Sequence, residues 1–109
     1  MLSLECLVRF SSPLDLRSVA ALISECLFGG LPFVETDEFD EEPGMRLERD
    51  VLMLHVCVVG ETPHFGLTFR TKATFFARQP TWPKVEDVDL SSYVEAALAS
   101  LDQIQIVPT

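Results

Sequence analysis

The sequence is short of positive charge, and this shortage excludes several classes of function. Eight lysine and arginine residues stand against 17 aspartate and glutamate residues in a chain of 109, which gives a formal net charge of -9 at pH 7. Nucleic acids and anionic membranes are bound by cationic surfaces, which displace counterions or meet the lipid headgroups. We therefore expect neither a nucleic-acid partner nor a membrane partner.

Motifs for common catalytic and cofactor chemistry are also absent. The sequence has no G-x-S-x-G, no H-E-x-x-H and no G-x-G-x-x-G pattern. Its three cysteines, Cys6, Cys26 and Cys57, lack C-x-x-C spacing, and each lies within an apolar stretch. Such cysteines are typical of reduced thiols that pack as small hydrophobic residues. The sequence thus predicts a non-enzymatic protein with no metal and no cofactor.

Long apolar runs and a secretory leader pattern are missing as well. No uninterrupted apolar stretch approaches the roughly 20 residues that cross a bilayer. The first residues show no basic segment followed by an apolar core and a cleavage site. Cytoplasmic localisation is the resulting expectation.

The overall composition is that of a globular protein. Hydrophobic residues make up 48% of the chain and charged residues 23%. A chain of this length buries enough surface to form one core without disulfides or a structural metal. We predict a single domain over residues 1–109.

Periodicity predicts a strand and then a helix in the first 30 residues. Apolar residues alternate with polar ones over residues 2–10, as in a half-buried strand. Ser12 is predicted to cap the helix that follows, because its hydroxyl can accept a hydrogen bond from the first turn. Apolar positions then recur at spacings of three and four as far as Leu27, and Gly29-Gly30 is expected to end the helix.

The rest of the chain predicts more strands and a second helix. Residues 51–59 are apolar on both faces, which is typical of a central strand or of a strand at a subunit contact. Short strands are predicted over residues 32–36 and from Met45, before this strand. After it come a turn over 60–63, a paired strand from Phe65 and a loop over 77–88. A helix from about Asp89 and a short strand over 104–107 complete the chain. This order, β-α-β-β-β-α-(β), predicts an α+β sandwich with a mainly antiparallel sheet and both helices on one face, ferredoxin-like or a variant.

An acidic run precedes Pro43. Its members are Glu35, Asp37, Glu38, Asp40, Glu41 and Glu42, with Phe39 in the middle. The run does not fit a calcium-binding loop, which needs a glycine at its sixth position and a late glutamate. It is typical either of a solvated loop or of a docking surface for a basic protein, where carboxylates steer association and Phe39 anchors the contact.

Charge is segregated along the chain. Residues 33–50 hold eight acids and two bases, whereas residues 62–85 hold four bases and no acid. Trp82, between two prolines, is predicted either to cover the core as a lid or to stand exposed as a contact residue. His55 is expected to be hydrogen-bonded in the core or at an interface, and His64 to be exposed at a turn.

Three hypotheses of function follow. The leading one is an acidic protein-binding module, most concretely a bacterial immunity or antitoxin-type inhibitor that neutralises a basic toxin. Its predicted contact residues are Glu35, Asp37, Glu38, Phe39, Asp40, Glu41, Glu42 and Trp82. The alternatives are an assembly subunit that forms a homodimer through residues 51–59 or Trp82, and a small enzyme or ligand-binding domain with a pocket between the sheet and the helix ends.

Overall fold

One sheet and two helices make up the part of the chain that the structure, a computed structural model, describes: residues 2–71 and 86–107. The strands are β1 (Leu2–Ser11), β2 (Phe33–Thr36), β3 (Gly44–Leu47), β4 (Leu54–Glu61), β5 (His64–Thr71), β6 (Glu86–Asp89) and β7 (Gln105–Ile106), and the helices are α1 (Leu16–Leu27) and α2 (Ser91–Leu98). The predicted α+β class is confirmed. The short closing strand predicted over residues 104–107 is present as β7.

The sheet is larger than a ferredoxin-like sheet. Its strands follow the order β2-β3-β4-β5-β1, and each neighbouring pair in this series is antiparallel. The far edge of β1 pairs with β6 in parallel and with β7 antiparallel. Within the described residues, five strands rather than the predicted three lie between α1 and α2, so the ferredoxin-like order is not confirmed. Residues 86–88, the end of the loop predicted over residues 77–88, belong instead to β6 beside β1, and the rest of that predicted loop lies outside the described residues.

The start of α1 corrects the predicted helix cap. Asp15 is the N-cap, and its carboxylate accepts a hydrogen bond from the Ser18 N–H at 2.8 Å. Ser12 is buried and accepts a hydrogen bond from the Leu14 N–H instead. The Ser12 N–H donates to the Pro63 carbonyl at 3.0 Å, and this bond ties Ser12 to the β4–β5 turn, so the helix begins later than predicted.

The end of α1 agrees with the sequence. Gly29 and Gly30 have φ angles of 64° and 82°, in the left-handed region that ends many helices. The Gly30 N–H donates to the Ser24 carbonyl at 3.0 Å and so satisfies one of the last helical acceptors. Cys26 is exposed, so its predicted packing is wrong: the residues of α1 that are buried are Val19, Ala20, Ile23 and Ser24.

The long apolar strand predicted over residues 51–59 begins at Leu54. Leu52 and Met53 have positive φ angles of 50° and 64° and are 83% and 42% exposed. The Leu54 N–H donates to the Val51 carbonyl at 2.8 Å and closes this turn. The chain must reverse here because β3 and β4 are antiparallel neighbours. The remainder of the strand is central in the sheet, and its use as a subunit contact stays a prediction.

The hairpin of β4 and β5 is confirmed, with a tighter turn than predicted. Gly60 pairs with Phe65 and Glu61 with His64, so the strands continue to the turn at Thr62–Pro63. His64 is exposed, as expected. Trp82 and the rest of the basic stretch beyond Thr71 lie outside the described residues.

The hydrophobic core lies between one face of the sheet and the two helices. We call this the helix-covered face; it carries Cys6, Val8, Phe10, Met45, Leu47, Leu54, Val56, Val58, Phe65, Leu67 and Phe69. Val19, Ala20 and Ile23 of α1 and Val94 and Leu98 of α2 pack against it. Both helices therefore lie on one side, as predicted. Within residues 2–71 and 86–107, no helix is long and apolar enough to cross a membrane.

The opposite side of the sheet is not covered by α1 or α2, and we call it the open face. Because side chains alternate along a strand, it carries Glu5, Leu7, Arg9, Arg46, His55, Cys57, Val59, Thr68 and Arg70. Register brings Glu5, Arg70 and His55 into one row across three strands. Polar and ionisable groups thus gather on the open face.

Candidate functional site on the open face

Three side chains with metal-binding or catalytic chemistry meet on the open face. His55 and Cys57 are two residues apart on β4, so both project from the same side of the strand. His55 Nε2 lies 3.4 Å from Cys57 Sγ. Glu38 joins them from the loop after β2: its Oε1 is 2.9 Å from His55 Nε2 and 2.9 Å from Cys57 Sγ.

Local packing brings the Glu38 side chain to the sheet. The Glu38 N–H donates to Thr36 Oγ1 at 3.4 Å, which turns the chain at the end of β2. The Phe39 ring lies over Gly44, where a Cβ atom would come within 2.8 Å of the ring. Glycine at the first position of β3 therefore lets the loop rest on the open face.

Asp50 completes the surroundings of the histidine. Its Oδ1 lies 3.4 Å from His55 Nδ1, on the side of the ring away from Glu38. Carboxylates thus hold both ring nitrogens of His55 and fix the ring plane. The prediction that His55 is hydrogen-bonded is confirmed, and the residue is half-buried on the open face.

The side chains of Glu38, His55 and Cys57 differ in solvent exposure. Cys57 is 1% exposed although it is not part of the helix-side core, whereas the side chains of His55 and Glu38 are 36% and 39% exposed. The thiol therefore lies at the bottom of the cluster, and the imidazole and the carboxylate lie at its mouth. His55 and Glu38 are therefore the members of the cluster that solvent reaches.

The electrostatics of the pair Glu38 and Cys57 keep the proton on sulfur. Burial raises the pKa of the Cys57 thiol, and the hydrogen bond to Glu38 raises it further. The same bond, donated by the thiol, is the main reason that the pKa of Glu38 lies below its ordinary value. At neutral pH the cluster holds a thiol and a carboxylate, so Cys57 lacks the thiolate that nucleophilic catalysis requires.

The predicted contact residues separate into two groups. Asp37, Asp40, Glu41 and Glu42 are exposed, and within the described ranges their side chains make no hydrogen bond or ion pair. Glu38 instead points inward to β4. These four carboxylates face solvent from a loop that Glu38 attaches to the sheet.

The other three predicted contact residues are not part of this exposed group. Glu35 is on β2 and forms an exposed ion pair with Arg17 at 3.0 Å. Phe39 is half-buried over Gly44. Trp82 lies outside the described residues. The structure therefore does not gather the whole predicted set onto one surface.

Sequence reasoning missed the cluster because its members are far apart in the chain. Glu38 is 17 residues from His55 and 19 from Cys57. One signal was present: the pattern His55-x-Cys57 in a strand places an imidazole and a thiol on one face. The pattern does not show that the acidic loop turns back over β4.

A groove between α1 and the sheet edge is one of several shallow hollows that bear on the ligand-binding hypothesis. It is open to solvent and is lined by Arg17, Ala21, Ser24, Glu25, Gly30, Leu31, Pro32, Phe33 and Met45. The Ser24 hydroxyl donates to the Leu31 carbonyl and is already satisfied. Converging polar groups are found at Glu38, His55 and Cys57 instead.

The fold and the cluster define an α+β protein with a polar open sheet face. Comparison with models of known protein families, with curated proteins and with solved structures finds no match to this chain.

Proposed function

We propose that this protein is a non-enzymatic protein-binding module whose acidic loop, residues 37–42, binds a basic protein. In its most specific form the proposal is an immunity or antitoxin-type inhibitor that acts in the cytoplasm and covers the cationic site of a toxin. The observation that carries it is the group of four exposed carboxylates without ion-pair partners among the described residues, Asp37, Asp40, Glu41 and Glu42.

The loop is held in place before any partner binds. Glu38 bonds to His55 and Cys57 of β4, and Phe39 packs over Gly44 of β3. These attachments lie in the middle of the acidic run. Because the loop is already ordered, binding loses less conformational entropy than it would with a free segment. The attachments therefore favour a docking role over that of a solvated connection.

The charge of the loop suits a cationic partner. Like charges on neighbouring residues repel, and a positive surface relieves this repulsion. Exposed carboxylates also accelerate encounter with a basic protein, by roughly 10-fold or more at low salt. Glu38 and Phe39 hold the conformation of the loop, and the four exposed carboxylates contact the basic partner.

The test compares two variants with equal charge. The loop variant carries Asp37→Asn, Asp40→Asn, Glu41→Gln and Glu42→Gln. The control variant carries Glu25→Gln, Glu48→Gln, Glu61→Gln and Asp102→Asn, which are exposed carboxylates outside the loop. Both lose four negative charges. The wild-type chain is used to isolate its partner from the native host, and association with the purified, identified partner is measured by stopped flow at two salt concentrations.

We expect the loop variant to associate at least about 10-fold more slowly at low salt, with a smaller salt dependence, while the control changes little. Equal slowing of both variants would show that the association rate depends on net charge and not on the position of the carboxylates in the loop. Unchanged association of the loop variant with a basic partner, or a partner that is not basic, would contradict the proposal.

A further inference from the structure

We propose that Glu38, His55 and Cys57 form a Zn²⁺ site with one open coordination position. The inference does not depend on the protein-binding role of the acidic loop. The ligand atoms, one carboxylate oxygen, one imidazole nitrogen and one thiol sulfur, all lie within 4.8 Å of one another. Carboxylate, imidazole and thiolate are the three donor types that Zn²⁺ takes from proteins.

The distances between the donor atoms are close to those around a tetrahedral zinc ion. Zinc bond lengths require about 3.4 Å between nitrogen and oxygen and about 3.6 Å between either of these and sulfur. The structure has 2.9 Å for His55 Nε2 to Glu38 Oε1, 2.9 Å for Cys57 Sγ to Glu38 Oε1, and 3.4 Å for His55 Nε2 to Cys57 Sγ. Opening the triangle by about half an ångström admits the ion. Rotation of the Glu38 side chain supplies most of this change.

Asp50 faces the outer nitrogen of His55, as carboxylates do beside many zinc-bound histidines. Asp50 Oδ1 faces His55 Nδ1 at 3.4 Å and can accept its proton in a hydrogen bond. Nε2 lies 2.9 Å from the Glu38 carboxylate, which only accepts, so Nε2 must give up its proton before its lone pair can reach Zn²⁺. The contact with Asp50 then keeps the remaining proton on Nδ1. Asp50 is therefore a positioning residue for the site.

Charge around the cluster is balanced for a divalent cation. Glu38, Asp50 and the Cys57 thiolate together bring three negative charges, and Zn²⁺ leaves one. Arg46 lies opposite Cys57 on β3, with its guanidinium donating to the carbonyls of residues 47 and 48. Arg70 lies opposite His55 on β5. These two cations border the site from the neighbouring strands.

Donor chemistry selects zinc over the hard cations. Ca²⁺ and Mg²⁺ require oxygen ligands, and a thiol beside an imidazole is unsuited to both. On binding, the Cys57 proton passes to solvent and sulfur becomes a ligand to the metal. Three protein ligands leave the fourth tetrahedral position for water or for a donor from a partner.

The experiment is a metal titration of the full chain in a reductant that is not itself a thiol. Zn²⁺ affinity is measured by competition with a chromophoric chelator, and Co²⁺ is added as a spectroscopic substitute that reports thiolate ligation and tetrahedral geometry. We expect one Zn²⁺ per chain and a Co²⁺ spectrum with a sulfur charge-transfer band and intense tetrahedral bands.

Each ligand has a matched control in the same chain. Cys57→Ser, His55→Gln and Glu38→Gln should each weaken Zn²⁺ binding by more than the roughly 10- to 100-fold that is typical when a group bonded to a metal ligand is lost. Cys26→Ser, His64→Gln and Glu42→Gln remove the same groups at exposed positions and should leave affinity unchanged. Asp50→Asn should weaken binding roughly 10-fold or more while the Co²⁺ spectrum keeps its shape.

Several outcomes would overturn the site. They are the absence of saturable Zn²⁺ binding, a sulfur band that survives Cys57→Ser, and a band that disappears with Cys26→Ser. If circular dichroism shows that Cys57→Ser does not fold, the comparison of Glu38→Gln with Glu42→Gln tests the site instead. Both positions are in the acidic loop, and glutamine keeps the volume of glutamate. Loss of partner binding with intact Zn²⁺ binding, or the reverse, separates this proposal from the protein-binding role.

Discussion

The two faces of β4 have opposite characters although the strand is apolar almost throughout. Leu54, Val56 and Val58 point to the helices and are buried in the core. His55 and Cys57, which alternate with them, point to the open face and meet Glu38. The same eight residues thus contribute to the core on one side and to a polar cluster on the other.

This difference separates the residues that stabilise the core from those of the proposed site. The helix-covered face excludes water, and its side chains stabilise the fold through buried apolar area. The open face has no helix above it in the described ranges, so its ionisable residues are not required for the core. Substitutions on the two faces should therefore differ in kind as well as in size.

The largest contrast is expected between two leucines on neighbouring strands. Leu67 on β5 is 0% exposed on the helix-covered face, and Leu7 on β1 is 56% exposed on the open face. Leu67→Ala should lower the free energy of unfolding by about 3 kcal/mol, because it removes buried methyl groups and leaves a cavity. Leu7→Ala should change it by less than about 0.5 kcal/mol.

Urea denaturation followed by circular dichroism measures both values. If the two substitutions lower the free energy of unfolding by similar amounts, the open face is covered and contributes to the core. The proposed difference between the two faces would then be wrong.

A smaller effect is expected where the acidic loop rests on the open face. Gly44→Ala brings a Cβ atom within 2.8 Å of the Phe39 ring, so the ring must move and stability should fall by about 1 kcal/mol. In a Phe39→Ala background the clash is gone, and Gly44→Ala should be neutral or slightly stabilising because alanine restricts the unfolded chain.

The measurement is a double-mutant cycle on the free energy of unfolding. Additive effects of the two substitutions would show that Phe39 does not pack over Gly44 in solution.

The smallest effect is expected for the pH dependence of stability that comes from Asp15, the N-cap of α1 on the helix-covered side of the sheet. Hydrogen bonds from Ser18 hold the pKa of Asp15 below its ordinary value of 3.8. The stabilisation from this carboxylate is therefore fully present above that ordinary value and is lost as pH falls through the lower pKa of the folded state. Asp15→Asn keeps a capping oxygen that does not titrate.

Thermal unfolding of wild type and Asp15→Asn checks this at pH 7 and near pH 3. At pH 7 the unfolding temperature of the wild type should be slightly higher than that of Asp15→Asn. This difference should be smaller near pH 3. A constant difference between the two proteins would show that Asp15 does not cap the helix as a carboxylate.

Much of the fold was predictable because its signals are local. The alternation over residues 2–10, the helical spacing that ends at Leu27 and the glycine pair after it each depend on a few neighbouring residues. The hairpin of β4 and β5 follows in the same way from two apolar runs with a turn signal between them.

The errors occur where distant contacts override a local signal. Ser12 is a good helix cap by type, but a backbone bond to Pro63 keeps it with the sheet. Leu52 and Met53 favour a strand by composition, yet the antiparallel pairing of β3 and β4 requires a turn there. The strand β6 pairs in parallel with β1, which is a long-range contact that local periodicity does not record.

The sequence by itself determined the acidic charge, the α+β class and the placement of His55 and Cys57 on one side of a strand. Only the tertiary structure decided which side that is, and only it brought Glu38 and Asp50 to the imidazole. The physical reason is that periodicity records which residues share a face, whereas the contacts of a loop depend on long-range packing such as that of Phe39 on Gly44.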